Sequence, residues 1–333
     1  MKFCNFMRRI GILFLALSLL FSGCSFSNLP FVGPEPERNV ITGLEGANGK
    51  IVAVKFDDTR FAHPQKGLDA ADVIFVTQVE AGLTRLMAIY TSQYPEEVGP
   101  VRSARISDID ILAQFGRVGF MYSGSQSKLR PVLSEANIVN LSAERNPPSI
   151  YVTDPNREPP YAMMVRIPAL LEKADGIDLV KPIGIEHGDL AESAIPIKSA
   201  RVDWPNAKYE MYWDESEARF LLDFDGEPNL DEKGNRLGSP MMVIQLIDIY
   251  PSEYGDKFGG ITPKNDVVGS GIAYLLRNGK VTKVNWSRTA PELETKWTLD
   301  DGTAAKFERG QIWFFLTDQE PKFTYPEADP AQK

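Results

Sequence analysis

The first 24 residues combine a basic start, a short apolar run and a cysteine. Three basic residues precede the apolar run, residues 10–21, and two small residues then lead to Cys24. A helix that spans a bilayer needs about 20 apolar residues, and this run is shorter. The segment therefore predicts a signal peptide over residues 1–23 rather than a membrane-spanning helix.

The ending "LLFSGC" resembles a bacterial lipobox, although Phe21 stands where lipoproteins usually have leucine. The resemblance implies cleavage before Cys24 and attachment of fatty acyl chains, such as palmitate, to that residue. Two chains, at about 0.8 kcal/mol per buried methylene, anchor a protein stably. The expected location is thus the extracytoplasmic face of the cell membrane. An ordinary secreted protein cleaved nearby is the alternative, but no A-x-A site precedes the first domain.

Cysteine usage constrains what the mature chain can fold into. Cys4 leaves with the signal peptide and Cys24 is acylated, so no free thiol remains. This excludes disulfides, zinc held by cysteines and a cysteine nucleophile. A hydrophobic core must supply the stability, and the remaining chain is long enough for two domains.

The mature chain is acidic. The signal peptide carries three of the 36 basic residues and none of the 45 acidic residues, which leaves a formal net charge of −12. Nucleic-acid binding requires a clustered basic surface, and we expect none here. We also expect neither a cofactor nor a metal site.

Patterns along the chain predict an α+β protein with a tether, two domains and a connector. Residues 24–40 are rich in proline and read as a flexible tether. Residues 41–180 mix apolar strand segments with helical periods, which favours a mixed α/β domain. Residues 181–199 lack a regular pattern and form the connector. Residues 200–325 lack helical periods and contain Asn278-Gly279, a strong hairpin signal, so they predict a smaller antiparallel β-rich domain.

The segment "GPVRSAR", residues 99–105, places two arginines where a helix over 101–116 is expected. On a helical wheel Arg102 and Arg105 point towards the apolar face, at the end where the helix dipole disfavours cations. A guanidinium held against a core needs an anion, because an unpaired buried charge is very costly.

Two kinds of anion fit these arginines. Glu80 ends a predicted strand and is a candidate internal partner, and Arg85 follows it closely; Asp57, Asp58 and Asp108 are further candidates. The alternative is a ligand carboxylate or phosphate gripped by the guanidinium forks. We expect a mixture of the two.

The longer sequence around these residues resembles the YerB-like bacterial lipoproteins. The resemblance rests on the "PQ-GL-xAD" run from Pro64 to Asp72, the "E-x-G-x-TR" turn from Glu80 to Arg85, and "GPVRSAR" itself. "YVTDPNREPPY" is similar to that family's "DP-x-R" segment, although Tyr161 stands where relatives tend to have histidine. "VGSGIAYLLRNGKVTKVNWSR" and "GQIWFFL" match its C-terminal domain. The resemblance implies a lipoprotein of two domains, both of unknown function.

We therefore predict a non-catalytic lipoprotein that binds an anionic envelope ligand or a protein partner in an arginine-rich cleft. The predicted ligand-binding residues are Glu80, Arg85, Arg102, Ser103, Arg105, Asp154 and Arg157. One alternative is a cell-wall hydrolase or transferase with Glu80, Asp57 or Asp58 as general base. It requires a carboxylate with an open face beside the arginines. A protein-interaction scaffold is the other alternative, and it requires an exposed apolar patch.

Overall fold

The computed structural model describes residues 36–256 and 259–327. The signal peptide, Cys24 and most of the predicted tether lie outside the described residues. The described residues from Glu37 onward cluster as one compact unit. Asn39 is buried in this unit and donates to the carbonyl of Ala47, so the last residues of the predicted tether belong to the compact unit.

Short strands dominate both halves of the chain. The described part of the first half contains β1 Val52–Asp57, β2 Val73–Gln78, β3 Thr84–Tyr90, helix α1 Ile106–Ala113, β4 Val118–Met121, helix α2 Arg130–Glu135, β5 Ile138–Asn140, β6 Tyr151–Thr153, β7 Met163–Val165 and helix α3 Ile167–Leu171. The second half contains β8 Ile195–Pro196, β9 Ser199–Trp204, β10 Ala207–Asp214, β11 Arg219–Phe224, β12 Glu227–Pro228, β13 Gly238–Ser239, β14 Met241–Leu246, β15 Asp248–Gly255, β16 Ile261–Asp266, β17 Gly269–Arg277, β18 Lys280–Arg288, β19 Lys296–Thr298, β20 Ile312–Thr317 and β21 Lys322–Thr324. The protein is thus strand-rich with a few short helices, as the predicted α+β class requires in outline.

One large sheet contains strands from both halves. Its order is β19-β18-β17-β14-β20-β2-β3-β1-β4-β5, and β8 pairs with β18. Strand β20, near the end of the chain, lies between β2 and β14 and is parallel to both. The strands within residues 200–325 are therefore not all antiparallel, contrary to the prediction for that range. The buried run "IWFFLT" of β20 suits a central parallel position, because both faces of such a strand are covered.

Two layers cover the large sheet. A six-stranded sheet, ordered β12-β11-β10-β9-β21 with β13 beside β11, packs on the face that carries Val54 and Phe56. Its strands β9 and β11 alternate between buried and half-buried residues, as a sheet with one covered face does. Helix α1 and the segment around Ile183 cover the opposite face. Strands β15 and β16 form a separate two-stranded sheet.

The hairpins are placed as the sequence indicates. Strands β2 and β3 pair in antiparallel fashion, β10 pairs with β11, and β17 pairs with β18 around Asn278-Gly279. The division into domains at residues 181–199 stays a prediction. Within the described residues, no helix is both long enough and apolar enough to cross a membrane.

Candidate anion-binding cleft

The "GPVRSAR" segment is extended rather than helical. Helix α1 begins only at Ile106, so the predicted start at residue 101 is wrong, and Arg102 does not lie on a helix face. The backbone N–H of Arg102 donates to the carbonyl of Lys55 at 2.8 Å, and the N–H of Ala104 donates to that of Gly124 at 3.0 Å. These bonds wedge the segment between the ends of β1 and β4, where they outweigh its local helical pattern.

Close packing holds the start of this segment. A Cβ atom on Gly99 would lie 2.5 Å from the sulfur of Met164, so the backbone here approaches its neighbour closer than a side chain permits. The N–H of Val101 donates to the carbonyl of Met163 at 2.7 Å. Packing and backbone hydrogen bonds therefore fix the first residues of "GPVRSAR", and they place the Cα atom of Arg102 in a defined position.

Strand register places an acid beside two arginines. Asp57 lies directly opposite Arg85 in the antiparallel pair of β1 and β3, so both side chains lie on one face of the sheet. The Nε atom of Arg102 contacts Asp57 Oδ2, and Arg85 Nη1 lies 3.9 Å from the same oxygen. Burial by itself raises the pKa of Asp57, but the charges of Arg85 and Arg102 outweigh it and hold that pKa below its usual range. One buried carboxylate therefore serves two guanidinium groups.

Arg105 has a separate partner. Its Nε atom donates to Glu80 Oε1 at 2.7 Å and its Nη2 atom to Oε2 at 2.9 Å, a bidentate arrangement. The hydroxyl of Thr262, on β16, donates to Glu80 Oε1. Burial raises the pKa of Glu80, but the bonds and charge of Arg105 and the bond from Thr262 lower it overall. Glu80 and Arg105 thus form a neutral structural pair.

A tight turn positions Glu80 to contact Arg105. The turn spans Glu80–Gly82, with φ of 57° at Ala81 and 66° at Gly82. These are left-handed values that favour glycine, and a Cβ atom on Gly82 would lie 2.5 Å from the side chain of Pro205. The glycine of the "E-x-G-x-TR" motif is therefore required by the backbone that places Glu80.

Five of the seven predicted ligand-binding residues line one cleft of about 550 Å³. The five are Glu80, Arg85, Arg102, Ser103 and Arg105. Other parts of its wall are the segment 125–127, Leu83, Ile106 and, from the hairpin of β15 and β16, Tyr254, Asp256 and Thr262. Both halves of the chain therefore contribute to the same cleft.

The floor of the cleft contains an incompletely satisfied arginine. Arg85 is 8% exposed, and its Nε and Nη1 atoms are buried without a hydrogen-bond partner among residues 36–256 and 259–327. Burial lowers the pKa of Arg85 to about 10, so the side chain remains charged at neutral pH. Buried donors nearly always have a partner, and an unsatisfied one points to a ligand, an ion or ordered water.

Asp154 and Arg157 lie elsewhere, and the structure does not bring them to the cleft. Arg157 Nε contacts Asp154 Oδ2 at 3.2 Å, and its Nη atoms donate to the carbonyls of Ala62 and Pro64. This pair therefore fixes the turn after β1. The same loop does reach the arginines through Tyr161, whose ring centroid lies 5.5 Å from Arg102 Cζ, within range of a cation–π contact.

Asp58 occupies the opposite face of the large sheet from Asp57. It is 1% exposed and accepts hydrogen bonds from Tyr209 at 2.8 Å and from Thr84 at 2.6 Å. His63 Nε2 lies 3.2 Å from Asp58 Oδ1, and the imidazole stacks on Phe224. The side chain of Asp58 thus joins the two sheets. None of the three carboxylates named for a general base has an open face in the cleft, and no metal-binding cluster occurs within the described residues.

Sequence reasoning missed several neighbours of the cleft. Lys55 is fully buried and donates to Asp108 Oδ1 at 2.6 Å and to Thr77 Oγ1 at 3.2 Å. Burial lowers the pKa of Lys55, and the carboxylate of Asp108 opposes the shift. A lysine within the apolar run "VAVKF" is the sequence signal for this pair. Thr262 carries no comparable signal, because the hairpin is remote in sequence.

Comparison with known proteins defines the family. Residues 41–179 match the model described as "Protein of unknown function (DUF3048) N-terminal domain", and residues 200–314 match the corresponding C-terminal domain. The chain belongs to this family, as the resemblance in its sequence motifs indicated.

Two particular comparisons extend over most of the chain. A Bacillus subtilis (strain 168) protein named "Putative lipoprotein YerB" is 24% identical over 293 residues, which cover 85% of this chain and 84% of that protein. The crystal structure of YerB protein from Bacillus subtilis superposes with a TM-score of 0.72 at 22% identity, covering 86% of this chain and 99% of that chain. The structural likeness shows a shared fold.

Proposed function

We propose that the protein is a lipoprotein, anchored through Cys24 at the extracytoplasmic face of the membrane, which binds an anionic ligand in the arginine-lined cleft. The signal segment with its lipobox-like ending supports the anchor, and so does the name of the YerB relative. The described residues after Pro36 form one compact unit.

The binding proposal rests on the environment of Arg85. Asp57 is a single carboxylate facing Arg85 and Arg102, whereas Glu80 and Arg105 neutralise each other. The floor of the cleft therefore holds one excess positive charge, carried on a nine-tenths buried side chain with unsatisfied donors. An anion in the cleft would supply the missing charge and an acceptor for the guanidinium groups that line it, and burial strengthens both interactions.

The catalytic alternative has less support. A general base needs a carboxylate with an open face and a pKa near the working pH. The pKa values of Asp57 and Glu80 are instead lowered, and Asp58 is enclosed between the two sheets. A binding role requires only an excess of positive charge on the floor, which Arg85 and Arg102 have over Asp57.

Thermal unfolding of the soluble chain from Ser25 onward tests the proposal. Acetate, citrate, phosphate and sulfate are each added to wild type, Arg102→Gln and Arg157→Gln at constant ionic strength. Arg157 is the matched control, because it is a partly buried arginine outside the cleft. An anion at a hundred times its dissociation constant stabilises the native state by about 2.7 kcal/mol.

We expect at least one anion to raise the melting temperature of wild type and of Arg157→Gln, and to have little effect on Arg102→Gln. If Arg102→Gln responds as strongly as wild type to every anion, the cleft is not the binding site and the proposal is wrong. The proposal is also wrong if none of the four anions raises the melting temperature of any of the three proteins.

A further inference from the structure

We propose that the ligand is a saccharide that carries a single carboxylate, with the acid on Arg85 and Arg102 and the sugar hydroxyls on the segment 125–127. The inference rests on the proposed anion site and specifies the chemistry of its ligand. It follows from the charge of the floor, the size of the cleft and the nature of its walls.

The charge of the floor fits a monoanion. Arg85 and Arg102 together carry two positive charges, and Asp57 cancels one of them. A carboxylate adds one negative charge and neutralises the group. A phosphate monoester carries between one and two negative charges at neutral pH, so its second charge would lie in the cleft without a counter-charge on the floor.

The size of the cleft accommodates more than an inorganic ion. Its volume of about 550 Å³ falls within the range of about 300–1,000 Å³ that small-molecule sites occupy. An ion on the two arginines leaves most of that space unfilled. A larger ligand bound there would contact the walls as well.

One wall offers three consecutive polar side chains. Ser125, Gln126 and Ser127 carry a hydroxyl, an amide and a hydroxyl, and none makes a side-chain hydrogen bond within the described residues. Hydroxyls and amides both donate and accept, which is what sugar hydroxyls require. The segment lies next to the arginines, since Ser123 N–H donates to the carbonyl of Arg102 at 2.9 Å.

Apolar side chains also line the cleft. Leu83, Ile106 and Tyr254 line it, and the Tyr254 ring is half-buried on the β15–β16 hairpin. A sugar ring presents C–H groups on its faces and hydroxyls around its edge. A cleft lined by both apolar and hydroxyl-bearing side chains can contact both surfaces of such a ring.

Isothermal titration of the soluble chain at low salt tests this inference. The probes are D-glucuronate, D-glucose 6-phosphate, D-glucose and acetate, which separate the carboxylate, the charge and the hydroxyls. Each is titrated into wild type, Arg102→Gln and the double variant Gln126→Ala/Ser127→Ala. Ser134→Ala is the control for the double variant, because Ser134 is exposed on helix α2 outside the cleft.

We expect glucuronate to bind at least tenfold more tightly than acetate and than glucose 6-phosphate, and glucose to bind most weakly. Losing two or three hydrogen bonds should weaken glucuronate binding about tenfold in Gln126→Ala/Ser127→Ala, with acetate binding unchanged. Both side chains are exposed, so this variant should fold. Arg102→Gln should weaken glucuronate and acetate alike.

Other outcomes separate this inference from the proposed function. Tighter binding of glucose 6-phosphate than of glucuronate would overturn the carboxylate while leaving the anion site in place. Equal binding of acetate and glucuronate, or a double variant that binds glucuronate as wild type does, would overturn the sugar. If none of the charged probes binds while one of the four anions stabilises wild type, only the sugar inference fails; if no anion acts in either experiment, the proposed function fails as well.

Discussion

Substituting Asp57 by asparagine should expose how much the buried arginines depend on one carboxylate. Asp57 is fully buried, contacts Arg102 Nε and lies 3.9 Å from Arg85 Nη1. Removing one partner of a buried ion pair costs about 3–5 kcal/mol, because the remaining charge stays buried without compensation. For a folded unit of this size, about 2–4 °C per kcal/mol translates this into a melting temperature lower by roughly 6–20 °C.

Anions should reverse part of this loss. The variant leaves two uncompensated guanidinium groups in the cleft instead of one, so sulfate should stabilise Asp57→Asn more than it stabilises wild type. Thermal unfolding followed by circular dichroism at pH 7, with and without sulfate at constant ionic strength, measures both effects.

Asp58→Asn is the matched control for this experiment. Asp58 adjoins Asp57, is 1% exposed, and accepts hydrogen bonds from Tyr209, Thr84 and Gln65 on the other face of the sheet. Its substitution should destabilise the protein without creating an unpaired arginine, so sulfate should help it no more than wild type. The reasoning is refuted if Asp57→Asn costs less than about 1 kcal/mol, or if sulfate rescues the two variants equally.

Two further predictions follow from the structure and a third from the sequence. The free energy of unfolding should fall as the pH drops below about 5, because the pKa of Glu80 is lowered in the folded state. The stabilisation from Glu80 is fully present above its unfolded pKa and is lost as the pH falls through its folded pKa. Urea unfolding across pH 3–7 should therefore show a shallower pH dependence for Glu80→Gln than for wild type. Lys55→Met should lower the free energy of unfolding by about 3–5 kcal/mol, because it leaves Asp108 buried without a partner. Adding Asp108→Asn should recover part of that loss, and a double-mutant cycle measures the recovery. Additive losses in the cycle would contradict the pairing. Cys24→Ser should move the protein from the membrane to the soluble fraction in cell fractionation, whereas retention would contradict the lipid anchor.

Much of the secondary structure could be predicted from local pattern. The buried run of β2 and the turn at Asn278-Gly279 both appear in the sequence, because strand burial and turn conformation depend on residues close together in the chain. The start of helix α1 could not be found this way. Residues 101–104 have a helical period, but their backbone groups bond to Lys55 and Gly124, and these contacts are longer in range than any local pattern.

The residues of the candidate cleft could be predicted only in part, because local motifs identify charged residues but not the contacts they make. "GPVRSAR" and the "E-x-G-x-TR" turn identified Glu80, Arg85, Arg102, Ser103 and Arg105, which the fold brings into one cleft. Asp154 and Arg157 are equally charged but fix a neighbouring turn, because their loop passes the backbone of Ala62 rather than the arginines.

By itself the sequence predicted an N-terminal signal, and it determined the absence of cysteines after Cys24 and most of the strands, all of which depend on composition and short-range pattern. Only the tertiary structure decided which acid meets which arginine. The register of β1 against β3 places Asp57 opposite Arg85, and the hairpin of β15 and β16 brings Thr262 to Glu80 from the other half of the chain. An ion pair needs its partners within a few ångströms, and that distance is set by strand pairing between segments far apart in sequence.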